Sequence, residues 1–180
     1  AHTARVLNEN FADQQPQKTY LAVVRGHPAD HGQIDHPITR QPDEREYVHD
    51  NAQLNAQPAL TDYQTLARCE LPFAVDRYPQ SRYALLQLSP HTGRRHQLRR
   101  HLKHIAHPII GDATHGKGVH NRFFQQQFQV GRMLLHAVTL SIQHPHQSQT
   151  LLLTAPVSGE FAQLLTALDW ETALPSAWRG

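Results

Sequence analysis

Ser81-Arg-Tyr-Ala-Leu-Leu-Gln-Leu88 runs into Thr92-Gly-Arg-Arg-His-Gln-Leu-Arg-Arg-His-Leu-Lys103 with only Ser89-Pro-His91 between them. In the first stretch Tyr83, Leu85 and Leu88 supply the bulk of a strand. In the second, Leu98, Leu102, Ile105 and Ala106 recur at helical spacing, and Thr92 is the expected N-cap. A strand handing over to an amphipathic helix within a few residues predicts a sheet with a helix laid against it.

The chain on either side extends this picture. Lys18-Thr-Tyr-Leu-Ala-Val-Val-Arg-Gly26 reads as a core strand, with Tyr20, Ala22 and Val24 on one face and Leu21 and Val23 on the other. Asp62 to Cys69 reads as a partner for residues 81–88, and the two runs predict antiparallel pairing. Residues 27–61, with prolines at 28, 37, 42 and 58, read as loops and short strands. His107-Pro-Ile-Ile-Gly-Asp112 stops the basic helix, and residues 113–130 read as a flexible surface loop. Arg132 to Ile142 and Thr150 to Thr154 complete the strands, and Ser158 is placed to cap a closing helix through Trp170. The expected fold class is therefore α+β, a mixed, mainly antiparallel sheet with packed helices, in one domain over residues 1–180.

Composition narrows the function classes. With 180 residues, 39% of them hydrophobic and 18% charged, the chain is long enough to bury a core. Cys69 is the only cysteine, which excludes an internal disulfide framework and any multi-cysteine zinc site, and points to a reducing cytoplasm. No apolar run approaches the roughly 20 residues needed to cross a bilayer, so no membrane partner is expected. The chain opens at Ala1 inside a stretch with amphipathic helical spacing (Val6, Leu7, Asn10, Phe11), which raises the expectation that a segment precedes it.

The net charge of +2 is too small to argue for nucleic acid, so the distribution of charge decides. Arg94, Arg95, Arg99, Arg100 and Lys103 place five cations within ten residues at the start and along the outer side of one helix, a phosphate-binding footprint. The alternative is a merely solvated helix face. Arg99 stands apart, because on a wheel of roughly 100° per residue it falls beside Leu98 and Leu102 while Arg100 and Lys103 point to solvent. A partly buried guanidinium needs a carboxylate, and no residue nearby in sequence obviously supplies one.

Three blocks, Thr92-Gly-Arg-Arg-His-Gln-Leu-Arg-Arg-His-Leu102, His107-Pro-Ile-Ile-Gly-Asp112 and Arg132-Met-Leu-Leu-His-Ala137, together with Lys18-Thr-Tyr20, resemble the signatures of the RluA family of RNA pseudouridine synthases, in family order. The resemblance runs from about residue 4 to residue 170. Arg77-Tyr-Pro79, Arg82-Tyr83 and the Arg99-Arg-His-Leu102 variant are most similar to the tRNA pseudouridine synthase C branch, whose target is uridine 65 of tRNA.

That resemblance implies isomerisation of uridine to pseudouridine in RNA, with tRNA as the expected partner and no cofactor. It implies that Arg99 pairs with the nucleophilic aspartate and that Tyr20 packs against the flipped base. It further implies that Arg94, Arg95, His96, Gln97, Arg100 and Lys103 hold RNA, and that Leu134 and Leu135 line the uracil pocket. The family's His-Arg-Leu-Asp block, which carries the nucleophile, does not occur in the sequence. Family spacing puts it about a dozen residues before Ala1, so the chain by itself is expected to be inactive. It is also expected to self-associate, and its Arg99 to capture a substitute anion.

Two rival readings stand beside this one. His101, His104 and His107 recur every third residue, with His96, His144 and His146 elsewhere, but steps of three drift round a helix and metal binding is not expected. A catalytically inactive RNA-binding module would use the same basic helix without the aspartate.

Overall fold

The computed structural model describes residues 16–39, 55–147 and 149–180. The amphipathic stretch around Val6 to Phe11 lies outside them, as do Asp13, Asp43 and Asp50. Six strands form one sheet in the order β2-β5-β6-β1-β7-β8: β1 (Gln17–Arg25), β2 (His31–Asp35), β5 (Leu60–Leu71), β6 (Ser81–Pro90), β7 (Leu135–Gln143) and β8 (Thr150–Thr154). The short strands β3 (Ile38–Thr39) and β4 (Ala56–Gln57) form a separate ribbon. Every pairing among the described residues is antiparallel, so the expected mixture reduces to its main component.

The middle of the sheet is β6 beside β1, in register Tyr20 to Leu88 and Arg25 to Tyr83. Both strands are apolar on both faces, and both faces are covered. Leu21, Val23, Tyr83 and Leu85 belong to one core cluster; Ala22, Val24, Ala84, Leu86 and Leu88 belong to the other. Alternation of side chains along a strand makes that division.

Among the described residues, three helices cover the two faces. α1 (Gln97–His104) lays Leu98 and Leu102 on the second cluster, while α2 (Gly118–Phe128) and α3 (Gly159–Ala167) bring Phe124, Phe161, Leu164 and Leu165 to the first. Eight residues are too few for a stable isolated helix in water, so α1 owes its existence to that packing.

Three expectations are corrected. Residues 113–130 hold the helix α2 and not simply a loop: His120 and Phe124 are buried on it, and the Phe124 ring meets Tyr83 edge-on at 4.7 Å. Tertiary burial of one aromatic side chain outweighs a polar run, Gln125-Gln-Gln127, that turns to solvent. Thr92 does not cap α1; its hydroxyl donates to Gln97 Oε1 (2.7 Å) and accepts from the Leu60 amide (3.1 Å), and the helix begins five residues later. The closing helix ends at Ala167, with a separate 3₁₀ turn at Glu171–Ala173 before the C-terminus, and Ser158 precedes it without a capping hydrogen bond from its side chain.

Candidate active site

The turn that leads into α1 is fastened by Gln97. This side chain is 4% exposed and makes four hydrogen bonds. Its Nε2 donates to the Leu60 carbonyl and to Thr61 Oγ1, both at 3.0 Å, and its Oε1 accepts from the Thr92 hydroxyl and the Arg94 amide. Thr61 in turn meets His101 Nδ1 at 2.9 Å, and His101 Nε2 reaches the His36 carbonyl at 3.0 Å. Burial lowers the pKa of His101, so it stays neutral, with Nε2–H as the donor and Nδ1 as the acceptor. One connected polar chain therefore locks α1 against β5.

Arg94 and Arg95 lie in the turn before α1, and only Arg99, Arg100 and Lys103 ride on the helix. His96 takes a left-handed backbone (φ 54°) at the junction. The reason is the same Gln97 bracket, which curls the backbone of residues 92–96 around one amide side chain.

Arg99 is 16% exposed, as its wheel position predicts, but its carboxylate comes from within the chain. Asp112 receives Arg99 Nε on Oδ2 and Nη2 on Oδ1, both at 2.7 Å. Its Oδ1 also accepts the amides of Thr114 (2.9 Å) and His115 (2.8 Å). Burial alone would push this carboxyl up; the arginine and the two amides outweigh it and hold it at about 2. The expectation of an unpaired or foreign-anion-bound Arg99 is thus corrected: sequence distance hid a partner thirteen residues away.

Backbone stitching brings Asp112 there. The Ile110 amide bonds the Val23 carbonyl and the Leu134 amide bonds the Ile110 carbonyl, each at 2.9 Å, so residues 108–111 are wedged between β1 and the entry to β7. Gly111 has φ +80°, and a Cβ there would lie 2.1 Å from the Arg132 carbonyl oxygen, so only glycine fits. The Asn121 side chain closes the loop, accepting from the Gly111 amide and donating to the Asp112 carbonyl.

Tyr20 of β1 and Arg99 of α1 line one cleft of about 390 Å³, with Lys18, Gly93, Met133 and Leu135 among the other walls. A register shift between β1 and β7 falls at Thr19/Tyr20, where bulges commonly re-aim a side chain toward a site. Arg94, His96 and Gln97 border the same cleft, and Arg100 and Lys103 face away from it, beside His36 and His104. Leu135 is on the cleft, whereas Leu134 is fully buried in the core on the opposite side of the sheet. Among the described residues, no Asp or Glu lines this cleft.

The nitrogens of Arg99 used by Asp112 are Nε and Nη2, which leaves Nη1 as the edge of the guanidinium not spent on that pair. His96 Nδ1 is buried without a partner among the described residues, and its ring sits 5.7 Å from that of His115. Burial first, then the neighbouring arginines, lowers the pKa of His96, so it is a neutral group. His101, His104 and His107 do not converge: His101 is spent on Thr61 and His36, His104 stacks on His36 at 3.7 Å, and His107 Nδ1 meets the Arg25 carbonyl.

The family model described as RNA pseudouridylate synthase matches residues 1–104, more than half of the chain. The chain belongs to the RNA pseudouridylate synthase family. It is 45% identical over 175 residues to the tRNA pseudouridine synthase C of Pectobacterium carotovorum, covering 97% of this chain and 46% of that one. With the tRNA pseudouridine synthase C of Vibrio vulnificus it shares 40% identity over 167 residues, covering 93% of this chain and 68% of that one. The chain thus spans just under half of the first relative and about two thirds of the second. Among solved structures it resembles human RNA pseudouridylate synthase domain containing 4 (TM-score 0.65, 25% identity, 92% of this chain and 67% of that one) and domain containing 1 (TM-score 0.63, 27% identity, 92% and 71%). Synthase membership and the branch named in these relatives agree with the resemblance drawn from the motif blocks.

Sequence reasoning missed Asp112 as the partner of Arg99, and Lys18 and Met133 as cleft walls. For Met133 a signal existed: neighbours in extended chain face opposite ways, so Leu134 and Leu135 cannot share a wall, whereas residues 133 and 135 can.

Proposed function

We propose that the protein is the RNA-binding and base-binding part of a tRNA pseudouridine synthase, isomerising uridine to pseudouridine without a cofactor. The observation that carries this is the convergence of Tyr20 and Arg99 on one cleft bordered by cations, in a chain 45% identical to a tRNA pseudouridine synthase. A uridine stacked in an RNA helix is out of reach, so the base is flipped into the cleft while Arg94, Arg95, Arg100 and Lys103 hold phosphates outside. Tyr20 packs against the flipped ring, and Leu135 with Met133 supplies the apolar wall.

Arg99 acts through position. Held flat by Asp112, it offers Nη1 to a second carboxylate, the nucleophile that this family carries in its His-Arg-Leu-Asp block. A nearby guanidinium keeps that carboxylate ionised and oriented. Asp112 is a poor nucleophile by the same geometry, since four hydrogen bonds occupy it. The nucleophile attacks the nucleoside, the glycosidic bond to N1 breaks, and the base reattaches through carbon 5 as the carboxylate is released; carbon 5 then loses its proton and N1 takes one up, so the product is an isomer of the substrate.

Release of tritium from 5-tritiated uridine in tRNA tests the reading. No release is expected from the 180-residue chain, and release is expected when the chain is preceded by a segment bearing His-Arg-Leu-Asp. Release by the chain alone would show that the nucleophile is misplaced. The identity to relatives named as tRNA pseudouridine synthases supports the enzyme over an inert RNA-binding module. The cytoplasm is the compartment that such a substrate implies, and no helix among the described residues is long and apolar enough to cross a membrane. Self-association of the chain has a surface to use: among the described residues β8 is an edge strand, and its Leu152 and Leu153 are 68% and 50% exposed.

A further inference from the structure

The molecule has a second cavity, of about 510 Å³, at the other end of the sheet and on its other face. Tyr20 and Arg25 are five residues apart on β1. That odd spacing sends them to opposite faces, and five residues of strand separate them by about 17 Å. Arg25, Tyr78, Arg82 and His120 line this second cavity, together with Asp76 and Ser81. None of them belongs to the candidate active site.

Two groups in it are incompletely satisfied. The Arg25 guanidinium has no hydrogen bond or ion pair among the described residues, although its backbone is pinned through its amide to Pro108 and through its carbonyl to His107. Arg82 is neutralised by Glu70 at 2.5 Å, and Asp76 is taken by Lys117, so Arg25 is the uncompensated charge of the cavity. His120 is 3% exposed, and its Nε2 has no partner among the described residues. Its Nδ1 lies 2.8 Å from the Tyr83 hydroxyl.

The proton on His120 can be placed. Burial raises Tyr83 to about 12, so the phenol keeps its proton and is able to donate it to Nδ1. Burial, then the Arg25 charge, lowers His120 to about 4, so the ring is neutral. With the Tyr83 hydroxyl as donor, Nδ1 accepts and the single ring proton sits on Nε2, the nitrogen without a partner among the described residues. A buried N–H donor with nothing to donate to, beside an unpaired guanidinium, is a site built for an oxyanion. At its rim stands Tyr78, 54% exposed, with Arg77 5.0 Å from the ring centroid, a flat surface on which a base can stack.

We propose that this cavity is a nucleotide-binding subsite, with Arg25 and the Nε2–H of His120 holding a phosphate and Tyr78 stacking the attached base. The volume suits a mononucleotide. The phosphate comes either from a free nucleotide or from a nucleotide of an RNA strand running beyond the active-site cleft.

The test titrates the whole 180-residue chain with inorganic phosphate, with uridine monophosphate and with a short single-stranded RNA, following the His120 ring signals by NMR and affinity by calorimetry. His120 should shift, Arg25→Gln should weaken binding at least about tenfold, and Arg25→Lys should restore part of it. Alanine at Arg94, Arg95, Arg100 and Lys103 should leave the response to the small ligands unchanged. A response to phosphate and uridine monophosphate identifies a free nucleotide; a response to RNA alone, lost in Arg25→Gln, identifies an RNA strand. No movement of His120 with any of the three probes, or affinities unaltered by Arg25→Gln in a chain with unchanged thermal unfolding, would overturn the proposal.

Discussion

The two faces of the sheet are built on different physical terms. Under α2 and α3 lies the larger cluster, where Tyr83, Phe124, Phe161 and Trp170 are buried with Leu and Val, and where His120 and Ser81 are buried polar side chains. Under α1 the cluster is smaller and mainly aliphatic, and Gln97, His101, Thr61 and Asp112 are buried beside it. The first face makes the molecule stable. The second gives up apolar packing for hydrogen bonds that fix the direction of a few side chains, which a cleft for chemistry requires.

That contrast can be broken from either side. The largest stability loss is expected from Phe124→Ala, about 3 to 5 kcal/mol in denaturant unfolding, because a fully buried ring set edge-on to Tyr83 leaves a cavity. The cleft face should report that change only through global unfolding. If Phe124→Ala instead altered RNA binding at temperatures where the chain is folded, the division of labour between the faces would be wrong.

Gln97→Leu should come next, at about 2 to 3 kcal/mol, since it keeps the volume but leaves the Arg94 amide without its acceptor and takes one hydrogen bond each from the Leu60 carbonyl and the Thr61 and Thr92 hydroxyls. It should also loosen the turn carrying Arg94 and Arg95, which hydrogen exchange of the Arg94 amide would show as reduced protection.

Asp112 gives a pH signature. Its carboxyl titrates at about 2 in the folded chain against an ordinary 3.8. The folded value is the lower one, so the stabilisation is fully present above about pH 4 and is lost as pH falls toward 2, for a total of about 2 kcal/mol. Asp112→Asn should remove that part of the acid dependence as well as lowering stability at neutral pH. An unchanged acid limb would mean that the carboxylate is not held as the geometry indicates.

The smallest effect on stability is expected for Arg94, Arg95, Arg100 and Lys103, within about 0.5 kcal/mol for each alanine. Their effect on function should be the opposite: tRNA affinity falls, and its salt slope flattens by up to about one unit for each phosphate that is no longer neutralised. Equal affinity and slope in the quadruple variant would reduce this surface to a solvated helix face.

Much of this was legible in the residues. The alternation in Tyr20-Leu-Ala-Val-Val24 sorted those side chains onto their two faces, and the wheel position of Arg99 set its burial, because both follow from the period of a local backbone. The helix α2 was hidden, since the stripe His120, Phe124, Phe128 opens with a histidine and is interrupted by three glutamines. Thr92 looked like a cap because capping is a local rule, but its hydroxyl was drawn away by Gln97 and the Leu60 amide.

The sequence by itself determined the strands β1, β5, β6, β7 and β8, the amphipathic helix, the cation cluster and, through the motif blocks, the family. Tertiary structure alone decided which carboxylate meets Arg99, which of Met133, Leu134 and Leu135 faces the cleft, and that Arg25 and His120 share a cavity far from it. The physical reason is range. Periodicity and charge are properties of neighbours along the chain, whereas a buried ion pair or an unfilled donor is a property of segments that only the register of the sheet brings together.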